Sequence, residues 1–177
     1  MSIDTGLRAA REKLVREHMA DENTLEFGKV LASFPQPHYE IIPTGATFDG
    51  RATVENYYHE SRTAFPDQRN ELLSLRHADD AVIVEFWLRG THLGALGHVP
   101  PTGRAFEVRM TAFFIFEDDR LVCERVYFDA MTMLRQLLAG VSLRKPASLL
   151  TLLRTLRGLG RNQRELSARQ PAAYPPS

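Results

Sequence analysis

Two side chains in this sequence have the type and setting for proton transfer. Asp129 closes the run Tyr127-Phe128-Asp129, and His92 ends the run Glu85-Phe86-Trp87-Leu88-Arg89-Gly90-Thr91-His92. A carboxylate at the end of an apolar strand is costly if it faces a dry cavity, because a low dielectric disfavours its charge and raises its pKa. The same shift makes it a usable acid/base near neutral pH, and an imidazole alongside would share the work. Abstraction of a proton next to a carbonyl also needs a donor for the enolate oxygen, and His92 or a tyrosine hydroxyl has that chemistry. Phe86, Phe113 and Tyr127 are the apolar neighbours against which Asp129 would be buried, and Tyr57 lies on a helix that could lid them. Each residue also has a plainer reading. Asp129 precedes Ala130-Met131-Thr132 and suits a helix N-cap; His92 is a histidine in a loop after a strand; Tyr57, Tyr58 and His59 fit ordinary core packing.

The elements that would position these groups follow from periodicity. Helical spacing runs from Thr5 to about Ser33, with a bend or restart at Asp21-Glu22-Asn23, and Pro35 and Pro37 end it. His38 to Ile42 reads as a short strand, Arg51 to Ala64 as a helix, and Arg69 to His77 as a strand. Three more strands follow, through Val82–Thr91, Arg109–Phe116 and Leu121–Phe128, separated by the loop Pro100-Pro101-Thr102-Gly103-Arg104 and a turn at Asp118-Asp119. Parity places Val82, Val84, Phe86, Leu88 and His92 on one face of the first of these three strands. In the last strand it places Leu121, Cys123, Arg125, Tyr127 and Asp129 on one side, and Val122, Glu124, Val126 and Phe128 on the other. Helices first and hairpin-linked strands after is an α+β layout. Met131 to Leu138 reads as a short helix. Beyond it, Ser148 caps a leucine-rich helix carrying Leu149, Leu152, Leu153, Leu156 and Leu159, and residues 169–177 read as a disordered tail. The domain reading is therefore 1–140, a helical extension 141–168, and the tail.

Composition narrows the function classes. With 22 basic and 22 acidic residues in 177, the chain has the balance of an ordinary globular protein, and it has no apolar run near the length of a membrane span. Met1-Ser-Ile-Asp-Thr lacks the features of a secretory signal, and the single cysteine, Cys123, fits a reducing compartment, so a cytoplasmic location is expected. The charge is uneven: from Arg135 onward there are eight basic residues and one acid, Glu165. Few aromatic residues accompany those arginines as stacking platforms, which argues against nucleic acid and for packing on the acidic remainder or on a partner subunit. The six histidines show no ligand spacing with Cys, Asp or Glu, so no metal is expected from spacing. Gly90, Gly94, Gly97 and Gly103 do not open a helix, and no serine sits in a nucleophile elbow.

Ala64-Phe65-Pro66-Asp67, Gly90-Thr91-His92-Leu93-Gly94, Pro100-Pro101-Thr102-Gly103-Arg104 and Tyr127-Phe128-Asp129 together resemble the SnoaL-like polyketide cyclase or ester cyclase group of the nuclear-transport-factor-like superfamily, over roughly residues 14–138. The resemblance implies a cone-shaped α+β fold, a curved antiparallel sheet wrapped around N-terminal helices, here with an extra C-terminal helix. It implies an apolar pocket for a small hydrophobic molecule, a homodimer, and neither metal nor organic cofactor. It also implies Asp129 as acid/base in an aldol closure, with His92 near the pocket and Tyr57, Phe86, Phe113 and Tyr127 around the substrate. The superfamily includes isomerases, dehydratases and members that only bind ligands, so a non-catalytic ligand-binding or protein-interaction module is the alternative.

Overall fold

The computed structural model describes residues 5–139 and, further on, positions 153, 154, 157, 158, 160–162, 164 and 165. The expectations placed on the leucine stripe as a whole, on its Ser148 cap and on the tail lie outside the described residues. The elements are α1 (Thr5–Asn23), α2 (Phe27–Ala32), β1 (His38–Ile41), β2 (Ala46–Asp49), α3 (Arg51–Ala64), β3 (Arg69–His77), β4 (Ala81–Thr91), β5 (Ala105–Glu117), β6 (Arg120–Phe128) and α4 (Ala130–Leu137). The strands form one curved, open sheet in the order β2-β1-β6-β5-β4-β3. Every pairing is antiparallel except β1 with β6, which is parallel.

Alternation decides what each face carries. Along β5 the even-numbered residues Phe106 to Phe116 are buried, and along β4 the buried set is Val82, Val84, Phe86 and Leu88. These side chains meet Val15 and Met19 of α1, Val30 and Leu31 of α2, and Val54 and Tyr58 of α3 in one core. Each large apolar side chain so buried contributes about 2 kcal/mol. The opposite face is half-exposed and carries Ile83, Trp87, Arg89, Arg109, Phe113 and Tyr127. It holds the Arg89–Glu107, Arg89–Glu71 and Arg109–Glu85 ion pairs.

One break in parity matters for the site. A bulge between Ile115 and Phe116 sets Ile115 opposite Cys123 but Phe116 opposite Leu121. Leu121 therefore turns into the core while Cys123 and Arg125 face outward, and Glu124 faces inward opposite Phe114. Simple alternation puts Leu121 and Cys123 on the same side; the extra residue, Val122, separates them.

The first helix ends at Asn23, and the chain turns through Leu25 with φ of 63°, left-handed backbone uncommon for a side chain other than Gly, Asn or Asp. The described C-terminal positions are helical and dock on the loop after β4. There Asn162 accepts from the His98 amide at 2.9 Å and donates to the Leu96 carbonyl at 3.0 Å, and Glu165 contacts the His98 ring at 2.7 Å. Gly158 lets the backbones touch, since a Cβ there would lie 2.4 Å from the His98 carbonyl oxygen.

Candidate functional site

Inside the concave face, five polar side chains from four separate elements converge. His18 and Glu22 lie one turn apart on α1, Tyr39 is on β1, Tyr58 on α3 and Glu124 on β6. The strand register brings Tyr39 directly alongside Glu124. The His18 side chain is fully buried, edge-on to Phe34 and Phe114.

The hydrogen bonds fix the roles of the atoms. The Ser33 hydroxyl donates to the Val30 carbonyl at 2.6 Å, so Ser33 Oγ receives the Nδ1–H of His18 at 3.0 Å. That leaves Nε2 of His18 as the working nitrogen. It lies 3.1 Å from the Tyr39 hydroxyl, 3.2 Å from Glu124 Oε2 and 3.7 Å from Glu22 Oε1. The Tyr39 and Tyr58 hydroxyls are 2.6 Å apart, and Tyr58 donates to Glu22 Oε1 at 2.6 Å. Asn70 donates to the other Glu22 oxygen at 2.5 Å, so both oxygens of Glu22 are engaged. Glu124 Oε2 is buried and has no aligned donor, despite its closeness to the imidazole.

The electrostatics follow from this packing. Burial alone would lower the pKa of His18, but its contacts with Glu124 and Glu22 outweigh that and raise it from 6.5 to about 9. Burial pushes the Glu124 carboxyl up, with the like charge of Glu22 adding to it against the pull of His18. Burial also acts to raise Glu22, yet the His18 contact prevails and holds it below the usual carboxylate range. The buried hydroxyls of Tyr39 and Tyr58 stay protonated well above the ordinary tyrosine range, chiefly because burial disfavours their anions. Two carboxylates near one imidazole, in dissimilar surroundings, form an acid/base pair with distinct members. The donor atoms of His18, Glu22 and Glu124 also lie within 4.8 Å of one another, as a metal site requires. With both Glu22 oxygens already accepting, the set is arranged for sharing a proton.

The residues singled out by sequence are distributed differently. Asp129 is exposed and caps α4: Oδ1 accepts from the Met131 and Thr132 amides, each at 3.0 Å, and Oδ2 accepts from the Thr132 hydroxyl at 2.6 Å. These bonds, the Thr132 hydroxyl foremost, hold its carboxyl below the usual range, opposite to the upward shift expected in a dry pocket. His92 is fully buried beside Phe65, its Nδ1 is 3.2 Å from the Thr102 hydroxyl, its Nε2 is unpartnered, and burial lowers its pKa. Asp129 and His92 do not converge: Phe128 pairs with Met110 and the His92 amide bonds to Arg104 at the other end of β5, a separation along the strand of about 17 Å. Phe86 lines the inner face, whereas Phe113 and Tyr127 stack edge-on on the outer one, 5.6 Å apart. The expectation that these three share a wall with Asp129 is not met, because Phe86 and Phe113 sit on opposite faces of the sheet. Tyr57 does adjoin the buried cluster, 5.5 Å from Tyr58 and 6.2 Å from Tyr39 between ring centres.

His18, Glu22, Tyr39 and Glu124 were not singled out by sequence reasoning as site residues. Two signals were present: a His and a Glu four apart on one helix face, and a carboxylate on the apolar side of β6. Two open clefts lie elsewhere. One, about 640 Å³, is bordered by Asp67, Arg69, Arg89, Arg104 and Phe106. The other, about 340 Å³, is bordered by Pro35, His38, Asp49 and Arg120. Neither includes a residue of the His18 cluster in its lining.

A curved sheet closed over helices, with a buried acid/base cluster on its concave side, defines the class to which known proteins can be compared. The sequence profile of the SnoaL-like polyketide cyclase family matches residues 28–137, and the chain belongs to that family. A search of curated proteins gave no match. Among solved structures, a candidate SnoaL-like polyketide cyclase from Jannaschia sp. CCS1 is similar at 16% identity, covering 79% of this chain and 99% of its own, with a TM-score of 0.66. IdmH, a candidate polyketide cyclase from Streptomyces antibioticus, is similar at 24% identity over 72% of this chain and 97% of its own, with a TM-score of 0.60. A protein of ketosteroid-isomerase-like fold from Catenulispora acidiphila DSM 44928 is similar at 18% identity over 70% of this chain and 90% of its own, also with a TM-score of 0.60. At these identities the likeness establishes the fold.

Proposed function

We propose that the chain is a cofactor-independent cyclase or isomerase of hydrophobic carbonyl compounds, with His18 and Glu124 rather than Asp129 as its acid/base pair. The observation that carries this reading is Glu124 Oε2, a buried carboxylate oxygen with no aligned donor, 3.2 Å from Nε2 of a buried imidazole. Glu124 takes the proton from the carbon next to the substrate carbonyl, and the enolate oxygen accepts from Nε2–H of His18 or from the Tyr39 hydroxyl. The enolate carbon then attacks a second carbonyl, whose oxygen takes the proton back from Glu124 as the C–C bond forms, or the enolate is reprotonated at another carbon by the protonated Glu124. Ser33 keeps the imidazole oriented by accepting from Nδ1–H, and Glu22, 3.7 Å from Nε2, favours its protonated form. Family membership supports the reaction class, and the apolar rings around the cluster support a hydrophobic substrate.

Access runs through the seam of α2 and α3 in this reading. Phe27 stacks on Tyr58 at 4.7 Å and Phe48 packs on Tyr57 at 4.6 Å, and Phe27, Phe48 and Tyr57 are only half-buried. The substrate displaces these rings to reach Tyr58 and His18. The test is closure of linear β-polyketone analogues followed by absorbance. Glu124→Gln and His18→Gln each lose about 100-fold or more in turnover, while Asp129→Asn keeps it. Turnover surviving both of the first two substitutions would end this assignment.

A ligand-binding role without catalysis is favoured by one observation, that neither cleft reaches the buried cluster. It is distinguished by binding of the same analogues without conversion. The expected second copy of the chain would use the outer sheet face, where Trp87, Phe113 and Tyr127 are flanked by charges of both signs.

A further inference from the structure

On the outer face of the sheet, at the β2-β1-β6 edge, three residues of different chemistry meet. His38 and Glu40 lie two apart on β1, so their side chains share a face. Cys123 of β6 shares that face, because the parallel register pairs Tyr39 with Glu124 and Glu40 with Arg125. One donor atom from each, the imidazole nitrogen, carboxylate oxygen and thiol sulfur, lies within 4.8 Å of the other two.

His38 and Glu40 have the outer partners of metal ligands, while burial and Glu40 push the Cys123 thiol up to about 12, so a bound cation would have to displace its proton. Asp49, opposite His38 on β2, has Oδ1 3.0 Å from Nδ1, which turns Nε2 toward Glu40. Arg125 donates through Nε to Glu40 Oε2, and Glu40 Oε1 lies 3.4 Å from His38 Nε2. Nε2 and Oε1 therefore face each other at a separation that a proton on Nε2 or a bound cation would bridge. The edge between a nitrogen and an oxygen ligand in a tetrahedral zinc site is about 3.4 Å. A sulfur-to-nitrogen edge is about 3.6 Å, so the thiol needs to move by at most about 1.2 Å. A carboxylate holding the far nitrogen of the histidine and an arginine holding the far oxygen of the carboxylate are the outer partners such ligands commonly have. The formal charges also close: Cys123 thiolate, Glu40 and Asp49 against Arg125 and a divalent ion sum to zero.

We propose that His38, Glu40 and Cys123 form a binding site for a thiophilic divalent cation, zinc by its donor set, with a fourth position open. The cleft bordered by Pro35, Gln36, His38, Asp49 and Arg120 adjoins this edge and gives solvent or a small ligand a route to that position. The site stands on the side of the sheet away from His18 and is independent of the reaction assigned there.

The test uses tag-free, full-length protein stripped of metal and titrated with cobalt(II), then with zinc against a chromophoric chelator. The expected result is one equivalent bound, with thiolate-to-cobalt charge-transfer absorption that zinc abolishes. Cys123→Ser removes that absorption, and Asp49→Asn, at an exposed position, weakens zinc affinity about 10- to 100-fold. Circular dichroism confirms that each variant is folded. Cobalt bound without the thiolate band points to the His18 cluster or to the surface and overturns the proposal. Absence of stoichiometric binding also overturns it, leaving a proton on Nε2 as the cation between His38 and Glu40.

Discussion

If the His18 imidazolium is held by Glu124 and Glu22, folding stability must depend on pH in a way that one substitution removes. His18 is wholly buried, and its pKa stands at about 9 against an ordinary value of 6.5. That difference corresponds to about 3 kcal/mol of stability. The folded value lies above the unfolded one, so the contribution is complete below about pH 6.5 and is lost as pH rises through about 9. Glu124 acts in the same direction, because burial makes the folded state hold its proton more tightly than the unfolded chain does. Glu22 acts oppositely: its lowered pKa contributes stability above the ordinary carboxylate range and loses it on acidification. The assay is urea unfolding of the wild type and of His18→Gln at steps from about pH 6 to about pH 10, with the denaturant slope checked for constancy. At the acid end, His18→Gln costs about 3 kcal/mol or more, since it leaves two buried carboxylates without their cation. At the alkaline end the gap between the two proteins narrows by about 3 kcal/mol. Titrating groups out of contact with His18 act equally in both proteins and cancel in the difference, whereas Glu22 and Glu124 lose the pull of His18 in the variant, so the comparison reads the cluster as a unit. Parallel stability profiles across the range would refute the reasoning, because they would mean that the imidazole gains no proton affinity on folding.

Further outcomes follow from individual contacts. Gly94→Ala places a methyl group 2.0 Å from the Thr63 carbonyl oxygen, a clash with backbone, and is expected to destabilise by about 2 kcal/mol in thermal unfolding. Phe114→Ala removes a ring that packs on His18 inside the core and is expected to cost about 4 kcal/mol, read from the urea midpoint. Asp129→Asn keeps an N-cap acceptor and leaves the unfolding curve nearly unchanged, whereas Asp129→Ala lowers the midpoint by removing the acceptor of two amides. If the outer sheet face joins two copies, Phe113→Glu shifts the mass measured by light scattering to that of one chain.

Local patterning carried most of the fold. Arg51–Ala64 and Arg69–His77 are visible in the sequence because helical spacing and alternation are local properties, bounded here by Asp49-Gly50, Pro66-Asp67 and Asp79-Asp80. β2 was not legible: its four residues sit between the turn signals at Gly45 and Gly50 and bury little beyond Ala46. The parallel pairing of β1 with β6 was not legible either, since nothing near His38 indicates a partner about 85 residues away. That pairing builds both polar clusters. It brings Tyr39 to Glu124 on the inside, and His38 and Glu40 to Cys123 on the outside, where ligand spacing along the sequence had argued against a metal. Asp129 drew attention because it ends an apolar strand, but the geometry gives it the plainer of its two readings, the helix cap. Glu124 carries the signal that sequence reasoning sought in Asp129: a carboxylate on the apolar side of a strand.

Deuterium wash-in at the carbon next to the carbonyl tests the central assignment most directly, because it reads proton abstraction without requiring the natural substrate. A panel of hydrophobic enolisable ketones is incubated in heavy water with the wild type, His18→Gln, Glu124→Gln and Asp129→Asn, and exchange is followed by proton NMR. Exchange above the buffer rate is expected with the wild type and Asp129→Asn, and a fall to near the buffer rate with both His18→Gln and Glu124→Gln. Exchange abolished by Asp129→Asn and retained in the other two would contradict the assignment.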